Sequence, residues 1–152
     1  MVLVVIVAQG SSGQIRPRIK EPRTNSLLDK HQGGEPKQAA DVKALFEAVE
    51  RGVVGGNIAA FAGHFGKQVS LNVSGSESGF VSASQAVSIL QNYFSSRKPT
   101  QFTFTRWNDS SASPYATGRM TFTHRGSKQF AQVYVSLAPQ DGGWIISQFN
   151  IY

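Results

Sequence analysis

Four stretches in the second half of the chain decide the fold: QFTFTRWN at 101–108, YATGRMTFTHR at 115–125, QFAQVYVSL at 129–137 and WIISQFNI at 144–151. From Gln101 onward the dominant period of the pattern is two. That period of two puts successive side chains on opposite faces of a strand. The intervening segments are short and rich in turn residues: 109–114, the pair Gly126-Ser127, and 139–143 with Asp141-Gly142. Links of this length join neighbouring strands only in antiparallel order. The segment therefore predicts a four-stranded meander.

Upstream, the period changes. In residues 41–51 the apolar positions are Val42, Leu45, Phe46 and Val49, the i, i+3, i+4, i+7 stripe of an amphipathic helix, closed by Arg51 and Gly52. Gly55-Gly56 breaks the chain. A second helix is predicted over 57–65, with Asn57 as N-cap and Ile58, Phe61 and Phe65 on one side. Residues 68–73 alternate as a strand, and Phe80-Val81-Ser82 is a brief extended piece. Ser82 or Ser84 then caps a third helix running to Phe94, with Ala86, Ile89, Leu90, Tyr93 and Phe94 as its apolar stripe. Helix, helix, strand, helix and meander make an α+β domain, with three helices packed on one curved antiparallel sheet.

Residues 9–39 are dominated by Gln, Gly, Ser, Pro and scattered charge, with few apolar residues (Ile15, Leu27, Leu28) to offset the ordering of the chain. They read as a disordered linker ahead of a domain at 40–152. Residues 1–8 are almost wholly aliphatic, and 2–8 reach the lower length of a signal-peptide core, with Ala8-Gln9 as a suitable cleavage point. Two readings compete, an ordinary buried strand and a truncated signal peptide; the second, and hence export to the periplasm or the outside, is the expectation.

Composition narrows the chemistry. The chain has 152 residues, a formal charge of +6 and no cysteine, which excludes disulfide scaffolds, thiolate metal sites, cysteine nucleophiles and a lipidated Cys anchor. No apolar run is long enough to span a membrane. The basic residues are spread along the chain instead of clustered, so no nucleic-acid partner is expected. His31, His64 and His124 are scattered and lack supporting carboxylates, so neither a metal nor another cofactor is expected.

This order of elements resembles the nuclear transport factor 2-like (cystatin-like cone) superfamily. Within it, the chain resembles the family of domain of unknown function 4783, small bacterial exported proteins. The residues carrying the resemblance are Phe46, the Gly56-Asn57 break, Phe61 and Phe65, the strand at 69–73, Phe80-Val81-Ser82 leading into Ala86, Leu90 and Phe94, and Gly143-Trp144-Ile145-Ile146 followed by Phe149 and Ile151. These are packing positions, so the resemblance implies a fold and transfers no catalytic residue. It also implies an export signal, and pairing through the open sheet face.

A cone-shaped sheet encloses a pocket. Even positions put Phe104 and Arg106 on one strand beside Phe122 and His124 on the next and Tyr134 on the third; these five are the candidate pocket lining, suited to a small apolar ligand. A one-residue shift in register exchanges the two faces, so the sequence leaves open which face is the pocket. The odd set, Trp107, Val133, Val135 and Leu137, then faces outward and suggests a homodimer through the sheet. His124 is the one plausible acid–base residue, but Asp109 and Asp141 lie in turns and give it no orienting carboxylate. The expectation is a non-catalytic ligand-binding or scaffold module. The alternative is an isomerase or dehydratase using His124 as base, with Arg106 or Tyr134 stabilising an oxyanion.

Overall fold

In the computed structural model, residues 35–152 are described. Helix α1 runs over Glu35–Val54, one-turn helix α2 over Ala59–Ala62, strand β1 over Phe65–Val73, β2 over Ser78–Ser82, helix α3 over Ala83–Ser96, and β3 to β6 over Lys98–Asn108, Tyr115–His124, Ser127–Gln140 and Gly143–Ile151. The six strands form one sheet in the order β2-β1-β6-β5-β4-β3. All neighbours are antiparallel except β1 and β6, which run parallel. No helix among the described residues is long and apolar enough to cross a membrane.

The apolar stripes account for the packing. Val42, Leu45, Phe46, Val49 and Val53 on α1 and Ala86, Leu90, Tyr93 and Phe94 on α3 are buried. They cover one face of the sheet, where Phe102, Phe104, Met120, Val133, Val135, Phe149 and Ile151 are buried in turn. Burying one large aliphatic or aromatic side chain contributes about 1.5–3 kcal/mol, so this layer dominates stability. Helix α3 starts where the Ser82 hydroxyl accepts from the Gln85 N–H and the Gln85 side chain accepts from the Ser82 N–H, a reciprocal capping box.

Several boundaries differ from the expectation. Helix α1 begins at Glu35, inside the stretch read as linker, and continues through Gly52 to Val54. Gly52 lies within the helix with the Phe61 ring packed on it, and a Cβ there would sit 2.6 Å from the ring. The second helix is only four residues long, because Phe65 already belongs to β1. The brief extended piece at 80–82 is a true strand, β2, in a hairpin with β1. The sheet is therefore six-stranded and mixed. The β4–β5 turn is Arg125-Gly126, both with positive φ, flanked by the His124–Ser127 pair. Asp141-Gly142 repeats that geometry, with glycine at the second position in both. The readings for residues 1–8 and 9–34 lie outside the described residues.

Candidate functional site

Cross-strand pairing assigns every strand residue to a face. On the helix-covered face, Phe102 pairs with Met120 and Met120 with Ala131; Phe104 pairs with Gly118, Gly118 with Val133 and Val133 with Ile151. On the other, outer face, Arg119 pairs with Thr103 and with Gln132, while Thr117 pairs with Arg106 and with Tyr134. The five expected pocket residues are thus divided between the two faces.

Phe104 and Phe122 lie on the inner face, 7% and 4% exposed. They are packing residues: Phe104 meets Phe46 edge-on at 5.5 Å between ring centroids and Phe102 at 4.8 Å, and Phe122 meets Tyr93 at 6.5 Å. Arg106 and Tyr134 lie on the outer face. Two causes put them there. The β3 ladder shifts register between Phe104 and Arg106, and such an extra residue reverses the in–out alternation beyond it. Along β5 the odd residues, not the even ones, face the helices. Val133, Val135 and Leu137 are each 0% exposed, so the odd set expected to drive dimerisation belongs to the core; of that set only Trp107, 46% exposed, reaches solvent.

His124 ends β4 on the helix side. Its Nδ1 donates to the Ser96 carbonyl at 3.2 Å, satisfying one of the open acceptors at the end of α3. His64 is exposed on the turn after α2. Neither is joined by a second catalytic group among the described residues.

Sequence reasoning missed Glu50. The Phe104 N–H donates to its Oε1 at 2.6 Å, linking α1 to the edge strand β3 beside the register shift. A sheet edge leaves such N–H groups unpaired, and a carboxylate that accepts one blocks pairing there. Glu50 stands four residues after Phe46 on the α1 stripe, which was the available signal. At the rim of the domain, a cleft of about 650 Å³ opens between the end of α1 and α3, lined by Val54, Ile58, Gln91, Phe94, Lys98 and Pro99.

The outer face has a different character. Phe130 is 52% exposed and Tyr152 58%. Tyr115 and Tyr134 stack at 5.9 Å. The Arg119 guanidinium lies 3.9 Å from the centre of the Phe130 ring. Tyr152 extends the β6 pairing by one residue, exchanging two backbone hydrogen bonds with Gln132 at 3.0 and 2.9 Å. Its hydroxyl accepts from the Asn150 amide at 2.9 Å, which holds the ring in place. Between Phe130 and Tyr152 runs a groove of about 280 Å³, with Thr117, Gly118 and Ala131 as its base and Arg119 and Gln132 beside it.

A mixed sheet packed on one face by a long helix and a capped helix, with the other face open, defines an α+β cone domain of the nuclear transport factor 2-like type. The family model described as "Domain of unknown function (DUF4783)" matches residues 46–152, and the chain belongs to that family. Solved structures agree on the fold. A DUF4783 family protein from Bacteroides ovatus is 20% identical, with 68% of this chain and 90% of that one covered and a TM-score of 0.61. A DUF4783 family protein from Bacteroides uniformis is 18% identical, with 69% and 93% covered and a TM-score of 0.62. A ketosteroid isomerase-like protein from Erwinia carotovora atroseptica is 14% identical, with 75% and 94% covered and a TM-score of 0.61. No curated protein matches the chain.

Proposed function

We propose that this domain is a non-catalytic binding module of an exported protein, and that its working surface is the outer face of the sheet. The observation carrying this reading is the exposed aromatic pair Phe130 and Tyr152, set on rigid strands beside Arg119. Aromatic rings and arginine are the residues that most often anchor protein contacts, and rigid strands hold them without further ordering on binding. Export is supported by the aliphatic run at residues 2–8.

Acid–base catalysis by His124 is the weaker reading. The imidazole Nδ1 is engaged with the Ser96 carbonyl, and Arg106 and Tyr134, the groups needed beside it, lie on the opposite face of the sheet. An oxyanion stabiliser works only within hydrogen-bond reach of the reacting atom.

Native mass spectrometry on protein purified from its own host tests the reading. A retained companion, whether protein, second copy or small molecule, is expected on the wild type. It is expected to be lost on Phe130→Ala and kept on Gln91→Ala at the rim cleft. Loss on Gln91→Ala with retention on Phe130→Ala would move the function to the rim.

A further inference from the structure

We propose that the groove beside Arg119 on the outer sheet face binds an acidic polypeptide segment of a partner protein, one carboxylate on the guanidinium and a neighbouring apolar side chain between Phe130 and Tyr152. This rests on the outer face being the working surface and names what occupies it.

The six strands contain Lys67, Lys98, Arg106, Arg119 and Lys128 and not one Asp or Glu. Arg106, Arg119, Lys128 and Lys98 belong to the outer face, from their pairing with Thr117, Gln132 and, for both lysines, Thr123, and all four are exposed. The single ion pair among the described residues is Lys43–Glu47 on α1, far along the chain from this face. The strands of the outer face therefore present cations with no Asp or Glu side chain among them.

The Arg119 guanidinium lies over Phe130 at 3.9 Å, and the Lys128 ammonium lies 5.8 Å from the same ring. No hydrogen bond to a protein group engages this guanidinium among the described residues, so its N–H groups are available. A planar guanidinium fork is suited to bidentate contact with a carboxylate. The groove supplies the apolar half of the contact, because its walls are the exposed rings of Phe130 and Tyr152.

A groove of about 280 Å³ takes a side chain or two, not a run of stacked bases. Four cations spread over a sheet are also few for a nucleic acid, whose affinity grows with each phosphate neutralised. A second copy docked two-fold on the same face would bring two surfaces of the same net positive charge together, since such an interface uses the same patch twice. An acidic segment is the one occupant that complements both the charge and the shape.

The test uses the full chain, labelled for backbone amide NMR. The probes are an acetylated Gly-flanked peptide of alternating Phe and Glu, the same peptide with Gln for Glu, and an oligothymidylate. The expected result is saturable shifts centred on Arg119, Phe130, Gln132 and Tyr152 with the Glu peptide. Affinity is expected to fall about tenfold for the Gln peptide, and about tenfold for Arg119→Gln with the Glu peptide. Arg119→Lys, which keeps charge and loses the fork, should recover only part of that loss. Equal binding of the Glu and Gln peptides overturns the proposal, as does an unaffected Arg119→Gln whose spectrum remains that of the folded wild type. Shifts confined to the rim near Ile58 and Gln91 overturn it too. Tighter binding of oligothymidylate, falling steeply with salt, would replace it with a nucleic-acid face. If the Glu peptide fails while Phe130→Ala still strips the companion from host-purified protein, the acidic assignment falls and the outer face stands. If Phe130→Ala strips nothing, the outer face itself is wrong.

Discussion

Val133 and Tyr134 are neighbours on β5 that the structure sends to opposite faces, and truncating each to alanine tests that assignment. Val133 is 0% exposed and lies between Gly118 and Ile151 on the inner face. Val133→Ala deletes two methyl carbons at about 0.8 kcal/mol each, roughly 1.6 kcal/mol of lost transfer. A residual void of about 40 Å³ would add about 1 kcal/mol, for a total of about 2–3 kcal/mol. Tyr134 is half-buried and stacked on Tyr115, so Tyr134→Ala loses one exposed aromatic contact of about 0.5–1.5 kcal/mol and opens no cavity. Urea unfolding followed by circular dichroism reads both, and unchanged m-values would license the comparison. The face assignment is refuted if Val133→Ala stays within about 0.5 kcal/mol of wild type while Tyr134→Ala loses more than about 2 kcal/mol.

Gly118→Ala should destabilise by at least the roughly 1–3 kcal/mol of an overpacked core, because the new methyl meets the Thr103 carbonyl oxygen and lies 2.9 Å from Phe104 Cα, both backbone of β3; a melting temperature equal to wild type would contradict this. Glu50→Ala strands the Phe104 N–H and should cost about 1–3 kcal/mol, whereas Glu50→Gln keeps an oxygen acceptor and should cost less; equal losses in urea titrations would argue against the contact. Burial pushes the Tyr93 phenol above its ordinary value of 10.0, with the nearby Arg97 guanidinium opposing. The folded state then holds the phenolic proton longer than the unfolded state, so stability should be intact below about pH 10 and fall as pH rises above it. Tyr93→Phe should flatten that fall, and an unchanged slope in denaturation midpoint against pH would sink the assignment. Protein isolated from its own host should begin at or near Gln9 by intact mass, and a species retaining the aliphatic run at residues 2–8 would remove the export reading.

Elements were legible in this sequence wherever one face is buried. The α1 and α3 stripes and the four alternating strands were visible because each buries one side and wets the other. Faces were not legible, for a local reason. The register shift at Phe104/Arg106 reverses parity within a single strand, and nothing in QFTFTRWN marks it. On β5, QFAQVYVSL carries large residues at even and odd positions alike, so alternation does not say which set is inside. Val133, Val135 and Leu137 go in because they pair with Ile151, Phe149 and Ile146 on the buried side of β6, a tertiary fact. The parallel β1–β6 pair was equally hidden, since it joins strands at opposite ends of the domain sequence. The outer surface did leave a trace, the absence of Asp and Glu from every strand, which becomes informative only once the strands are seen to share one sheet.

The most direct test of the outer face as working surface is side-chain footprinting by hydroxyl radicals, on protein isolated with its companion and again after the companion is removed. Phe130, Tyr152 and Tyr115 should be protected in the first state and modified in the second, while the rim side chains Val54 and Pro99 react alike in both. Protection of the rim, with Phe130 and Tyr152 equally reactive in the two states, would contradict the account.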